Sequence, residues 1–118
     1  MYTIHEIANL LIALVREQKF VEAYEQLYAD GAVSIDPNYA DKPPLKGLAN
    51  LVEREKQFLS RTEIHRVNIS EPVIVGNYFT ISLSMDFTIN GQGKKELEEL
   101  CVYKVENGKI ISQQFFMD

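Results

Sequence analysis

The chain has 118 residues, of which 46% are hydrophobic and 25% charged, enough for one domain that buries roughly two-thirds of its extended-chain surface without staples. Its formal net charge of −5 comes with acidic residues scattered from Glu6 to Asp118, which leaves no basic stripe for a run of phosphates and argues against nucleic-acid binding. The longest apolar stretch, Leu10 to Val15, is too short to span a bilayer, and the N-terminus lacks the basic flank and cleavage site of a secretion signal, so a cytoplasmic protein with no membrane contact is expected.

Cys101 is the single cysteine and His5 and His65 are the only histidines, so neither an internal disulfide nor a zinc cluster can be assembled. No segment concentrates carboxylates around a glycine as a calcium loop does. No metal and no cofactor are assigned.

From Ile4, apolar residues recur at steps of three and four through Ile7, Ala8, Leu11, Leu14 and Val15, the pattern of an amphipathic helix. Thr3 followed three residues later by Glu6 forms a capping box that fixes its start. A second helix reads from about Lys19 to Tyr28, with Phe20, Ala23, Tyr24 and Leu27 on one stripe, and Asp30-Gly31 is expected to stop it with a left-handed residue. Ala32 to Asp36 alternates as a strand. Pro37, Pro43 and Pro44 then predict a loop over residues 37 to 46, the expected flexible lid.

After Gly47 a third helix runs to about Ser60, burying Leu48, Leu51, Val52, Phe58 and Leu59 and exposing Glu53, Arg54, Lys56 and Gln57. Glu55 falls on the buried stripe, where an unpaired charge is costly. It either sits at the stripe edge, reaching water or pairing with Arg54 or His65, or presents a carboxylate to an interior site.

The rest of the chain reads as strands. Residues 64 to 75 alternate with a break at Pro72, Gly76-Asn77 turns, and Tyr78 to Asn90 alternates with Phe79, Ile81, Leu83, Met85, Phe87 and Ile89 on one face. A turn at Gly91-Gln92-Gly93 leads to a strand over about Lys95 to Val105, and Glu106-Asn107-Gly108 turns into a last strand, Lys109 to Met117. Helices first and hairpins afterwards predict one α+β domain over residues 1 to 118: three N-terminal helices on a strongly curved antiparallel meander sheet.

Three stretches carry a resemblance to the nuclear transport factor 2-like superfamily, with its SnoaL-like polyketide cyclases and ketosteroid isomerases. They are Leu27 to Pro37, Lys46-Gly47 at the start of the third helix, and the Val105 to Ile111 hairpin. The resemblance implies a cone whose concave face holds a small apolar molecule, often in a homodimer. It implies either a cofactor-free isomerase or cyclase acting by proton transfer on an apolar carbonyl compound, or a non-catalytic ligand-binding or dimerisation module.

Asp36 falls where ketosteroid isomerases carry the proton-shuttling carboxylate, although Asp-Pro is also a common turn pair. The other two groups of that chemistry do not carry over, because the first-helix position matches aliphatic Ile12 or a neighbour and the strand position matches Cys101. The concave face is expected to present Glu99, Cys101 and Tyr103 on one strand, Gln113 and Phe115 on the next, Leu83 and Met85 on the long strand, and His65 on the first. Four of these polar residues also have a structural reading, Glu99 as a rim residue in contact with water, Cys101 as a small core residue, Tyr103 as a packed ring and His65 as a satisfied structural histidine. The outward faces carry Leu100, Val102, Ile110 and Phe116, an apolar surface that a second copy of the chain is expected to cover.

Overall fold

A computed structural model describes residues 1 to 39 and 41 to 117. Helix α1 (Ile4–Arg16) opens the chain, and its Thr3–Glu6 capping box forms in both directions, Glu6 N–H donating to Thr3 Oγ1 at 3.2 Å and Thr3 N–H to Glu6 Oε1 at 2.9 Å. These bonds satisfy two donors that a helix start otherwise leaves free. Its buried face is Ile7, Ala8, Leu11, Ile12 and Val15.

Helix α2 (Phe20–Leu27) passes directly into strand β1 (Tyr28–Ile35). The helix stops because Tyr28 is extended, at φ −100° and ψ 148°, and Gly31, expected to stop it, lies within β1 at an irregularity between Tyr28 and Val33. The proline-rich segment is shorter on free loop than predicted. Pro37–Tyr39 is a 3-10 turn and β2 (Leu45–Lys46) pairs antiparallel with β1; Ala40 lies outside the described residues. Helix α3 (Leu48–Ser60) begins after Gly47, whose φ of 102° suits a residue without Cβ.

The remaining strands are β3 (Thr62–Ile69), β4 (Val73–Val75), β5 (Tyr78–Ile89), β6 (Gly93–Glu106) and β7 (Lys109–Phe116). Their order in the sheet is β2-β1-β7-β6-β5-β3, with β4 also pairing β5. Strands β3 and β4 act as one strand interrupted near Pro72, lying along opposite halves of β5. The Asn107-Gly108 turn has both residues at positive φ, 51° and 73°, the conformation whose twist matches a two-residue hairpin.

Two departures from the expected meander matter for the site. Strand β1 joins β7 in parallel, so the sheet is antiparallel except at this pair. The register of β6 and β7 slips between Lys104 and Val105, which pair with Ser112 and Ile110. Such a bulge adds a residue and switches side-chain direction. Ile110, expected outside, is therefore fully buried.

The helices cover the concave face, and the narrow end of the cone is solid. Ile7, Leu27, Phe79, Cys101 and Ile110 meet there with no exposure. Phe79 stacks on Tyr103 with ring centroids 4.7 Å apart. No described helix is long and apolar enough to cross a membrane.

Candidate functional site

Toward the other end the cone is hollow. A cavity of about 480 Å³ opens between α2, α3 and the concave face of β5, β6 and β7. Ile81, Leu83, Met85, Phe87 and Ile89 come to it from β5, because alternate residues of a strand share one face. Leu11 and Val15 of α1, Phe58 of α3 and Phe115 of β7 complete most of its apolar wall.

Three carboxylates open into this apolar space: Asp36 just past β1, Glu55 on α3 and Glu99 on β6. Among the described residues, no cationic nitrogen lies within 4.0 Å of any of their oxygens. Burial pushes Glu99 up to about 7, and the nearby charges of Asp36 and Glu55 add to the rise. Burial likewise pushes Glu55 up to about 7, with Arg54 opposing the rise and Asp36 reinforcing it. Desolvation favours the neutral carboxyl because a charge in a dry wall loses its hydration. Both acids thus exchange protons near neutral pH.

Asp36 sits at the mouth. Its Oδ1 accepts from the backbone N–H of Asn38 at 2.9 Å and from Asn38 Nδ2 at 3.0 Å. The turn reading and the cavity reading of Asp36 are thus both realised, one oxygen holding the turn while the residue lines the cavity.

A polar network forms one wall. Gln113 is fully buried on β7, with its Nε2 donating to Tyr24 Oη at 2.9 Å and to Ser34 Oγ at 3.0 Å, while its Oε1 accepts from the Tyr28 hydroxyl. Arg54 Nη2 donates to Ser34 Oγ at 2.8 Å, and its guanidinium lies 4.9 Å from the ring centre of Tyr39. No side-chain nitrogen or oxygen sealed inside the described structure lacks a partner. Burial raises the Tyr24, Tyr28 and Tyr103 hydroxyls, which keeps them protonated donors.

A family model for the SnoaL-like domain matches residues 2–117. The chain belongs to the SnoaL-like family. A candidate SnoaL-like polyketide cyclase from Mesorhizobium loti superposes on this SnoaL-like domain with a TM-score of 0.90 at 24% identity, over 98% of this chain and 100% of that one. A protein of ketosteroid isomerase-like fold from Catenulispora acidiphila, solved with trimethylamine, gives a TM-score of 0.76 at 18% identity, covering 98% and 88%. A protein of unknown function and nuclear transport factor 2-like fold from Burkholderia pseudomallei gives 0.80 at 13% identity, covering 100% and 92%. At these identities the likeness is one of fold. No curated protein matches the sequence.

Of the residues that the sequence singles out, the SnoaL-like domain brings Asp36, Glu55, Leu83, Met85, Glu99, Tyr103, Gln113 and Phe115 to one cavity. His65 is not among them. A register irregularity between Ile64 and Arg66 turns it outward, where its Nε2 lies 2.7 Å from Thr88 Oγ1. Cys101 is also off the cavity wall, fully buried behind it, with Sγ 3.8 Å from Glu99 Oε1. Burial and the Glu99 charge push its thiol well up, so it is inert packing.

Tyr24, Tyr28, Ser34 and Arg54 also belong to the polar wall, and no sequence pattern singles them out as site residues. In the sequence Tyr24 appears only as an apolar stripe residue, and Arg54 is assigned to the solvent side of α3. Its detectable signal is that it lies between Glu53 and Glu55 at the edge of the stripe, where a long side chain can turn either way.

Proposed function

We propose that this SnoaL-like domain admits a small apolar carbonyl compound to the cavity and moves a proton on it without a cofactor. The observation that carries the reading is the convergence of Asp36, Glu55 and Glu99 on one largely apolar cavity, with two of them poised near neutrality. Carboxyls that meet at one apolar cavity can supply a base and an acid to the same guest.

Asp36 is the base in this reading, because it lines the cavity and its Oδ2 has no hydrogen-bond donor among the described residues. Glu99, protonated in part of the population near neutral pH, delivers its own proton at the second carbon, and the proton taken up by Asp36 then passes through water to Glu99 to restore the pair. Tyr24 accepts a hydrogen bond from Gln113, so its own hydroxyl hydrogen is free to stabilise an enolate oxygen. Tyr24, held in place by its hydrogen bond from Gln113, takes the place of the oxyanion donors missing from α1 and from position 101.

Deuterium incorporation next to the carbonyl of cyclic ketones, measured by NMR in heavy water, tests this. The wild type accelerates exchange, and Asp36→Asn or Glu99→Gln lowers the rate roughly a hundredfold or more. Exchange unchanged in Asp36→Asn removes it as the base. A non-catalytic ligand-binding module is the second reading, favoured by the saturation of Gln113 in purely structural hydrogen bonds. Ketone binding without any accelerated exchange selects it.

We also propose a homodimer through the outer sheet face, where Leu100 and Phe116 are register partners and remain 45% and 49% exposed. A monomeric mass in sedimentation at micromolar concentration contradicts this.

A further inference from the structure

The cavity has an electrostatic imbalance that a neutral guest leaves in place. Glu99 is nine-tenths buried, at 9% exposure, yet among the described residues it receives no N–H, no O–H and no cation; its one hydrogen-bond partner there is the Cys101 thiol on Oε1. No sealed side-chain oxygen in the described structure lacks a partner, so the unpartnered Oε2 must open into the cavity it lines. Glu55 faces the same space with no hydrogen-bond donor of its own among the described residues.

Among the described residues, the cations that line the cavity do not pair with these acids. Arg54 donates to Ser34 and lies over Tyr39, whereas Arg61 and Lys95 are exposed at the rim, and none reaches within 4.0 Å of the three acids. A buried carboxylate without a counter-charge is costly, and a guest that brings the charge relieves that cost.

We propose that the natural guest is an organic cation, a protonated or quaternary amine whose charged nitrogen sits between Glu99 and Glu55 while its hydrocarbon part packs on Phe58, Leu83, Met85 and Phe115. The proposal rests on the reading that the cavity admits a small organic molecule, and it names the chemical class. The wall suits the class twice over. Carboxylates supply the counter-ion, and Tyr24, Phe58 and Phe115 bring aromatic rings, which attract a desolvated ammonium, to the cavity wall.

Cyclohexylamine, which is protonated at neutral pH, and cyclohexanone share a ring and differ in charge, and both are small for a cavity of about 480 Å³. NMR chemical-shift titration of each into the wild type, Glu99→Gln, Glu55→Gln and Asp86→Asn separates the outcomes. The amine is expected to bind the wild type at least roughly tenfold more tightly than the ketone. Glu99→Gln is expected to erase that preference, Glu55→Gln to reduce it, and Asp86→Asn, which removes one negative charge from the outer face, to leave it intact.

Equal or tighter binding of cyclohexanone overturns the inference and leaves the small-molecule pocket standing. An amine affinity that falls as far in Asp86→Asn as in Glu99→Gln also overturns it, because the attraction is then unspecific. If neither compound shifts the cavity residues, the inference and the pocket reading fall together.

Discussion

Glu99 and Asp86 stand on the two neighbouring strands β6 and β5 but on opposite faces of the sheet, and their fates differ. On the outer face Asp86 accepts from Arg66 Nε at 2.8 Å, and that hydrogen bond holds its carboxyl below the usual value of 3.8. On the inner face Glu99 has no cation, and burial lifts it to about 7. The same residue chemistry gives a stable ion pair where water is present and a proton-exchanging acid where water is excluded. A structural charge brings its partner along the sheet, and a charge waiting for a guest does not.

The contrast also divides the inner face itself, which is sealed at one end and hollow at the other. The largest predicted effect lies in the sealed part. Phe79→Ala removes a fully buried ring stacked on Tyr103 and is expected to cost about 3 to 5 kcal/mol in urea denaturation. If the loss is below about 1 kcal/mol, the closed end is not the core that this account makes it.

Next in size is Gln113→Leu, which leaves the buried Tyr28 hydroxyl without its acceptor and removes the bonds to Tyr24 and Ser34. A loss of about 2 to 3 kcal/mol is expected, because an orphaned buried group costs more than a hydrogen bond contributes on average. Thermal unfolding of Gln113→Leu beside Gln113→Glu checks whether the amide or merely its volume matters.

Glu99→Gln reverses the sign. A carboxyl whose folded value lies above its ordinary 4.5 costs stability once the pH rises past that ordinary value, and the cost is complete above about 7. The variant is therefore expected to match the wild type in acid and to exceed it above neutrality by on the order of 1 to 3 kcal/mol. Equal stability across that window contradicts the inner-face account.

Asp86→Asn gives the smallest effect, of opposite sign. Because the Asp86 carboxyl is depressed, its ion pair stabilises the fold above the ordinary value of 3.8 and is lost as pH falls through the lowered one. Denaturation curves of the variant and the wild type are expected to differ slightly at neutral pH and to merge in acid, as exposed pairs contribute little.

Much of this division is legible in the amino-acid order. Strict alternation from Tyr78 to Asn90 and the capping box at Thr3 are local signals, and local physics decides both. The parallel pairing of β1 with β7 is not local, since it joins residues that are far apart in the chain and leaves no mark on either. His65 and Ile110 defeat the alternation rule for one reason: each adjoins a bulge, and a bulge switches the face on which the next side chains of the strand emerge. Glu55 is readable because a charge on an apolar stripe is anomalous, whereas the role of Tyr24 is hidden, as a tyrosine on that stripe resembles ordinary core.

The central claim is that Glu55 and Glu99 open onto a water-poor cavity without a cation of their own. Carbon-13 NMR of the glutamate side-chain carboxyls across a pH titration tests it directly. Two resonances, assigned by Glu55→Gln and Glu99→Gln, are predicted to titrate near 7. Both carboxyls titrating at the ordinary 4.5 would contradict the account.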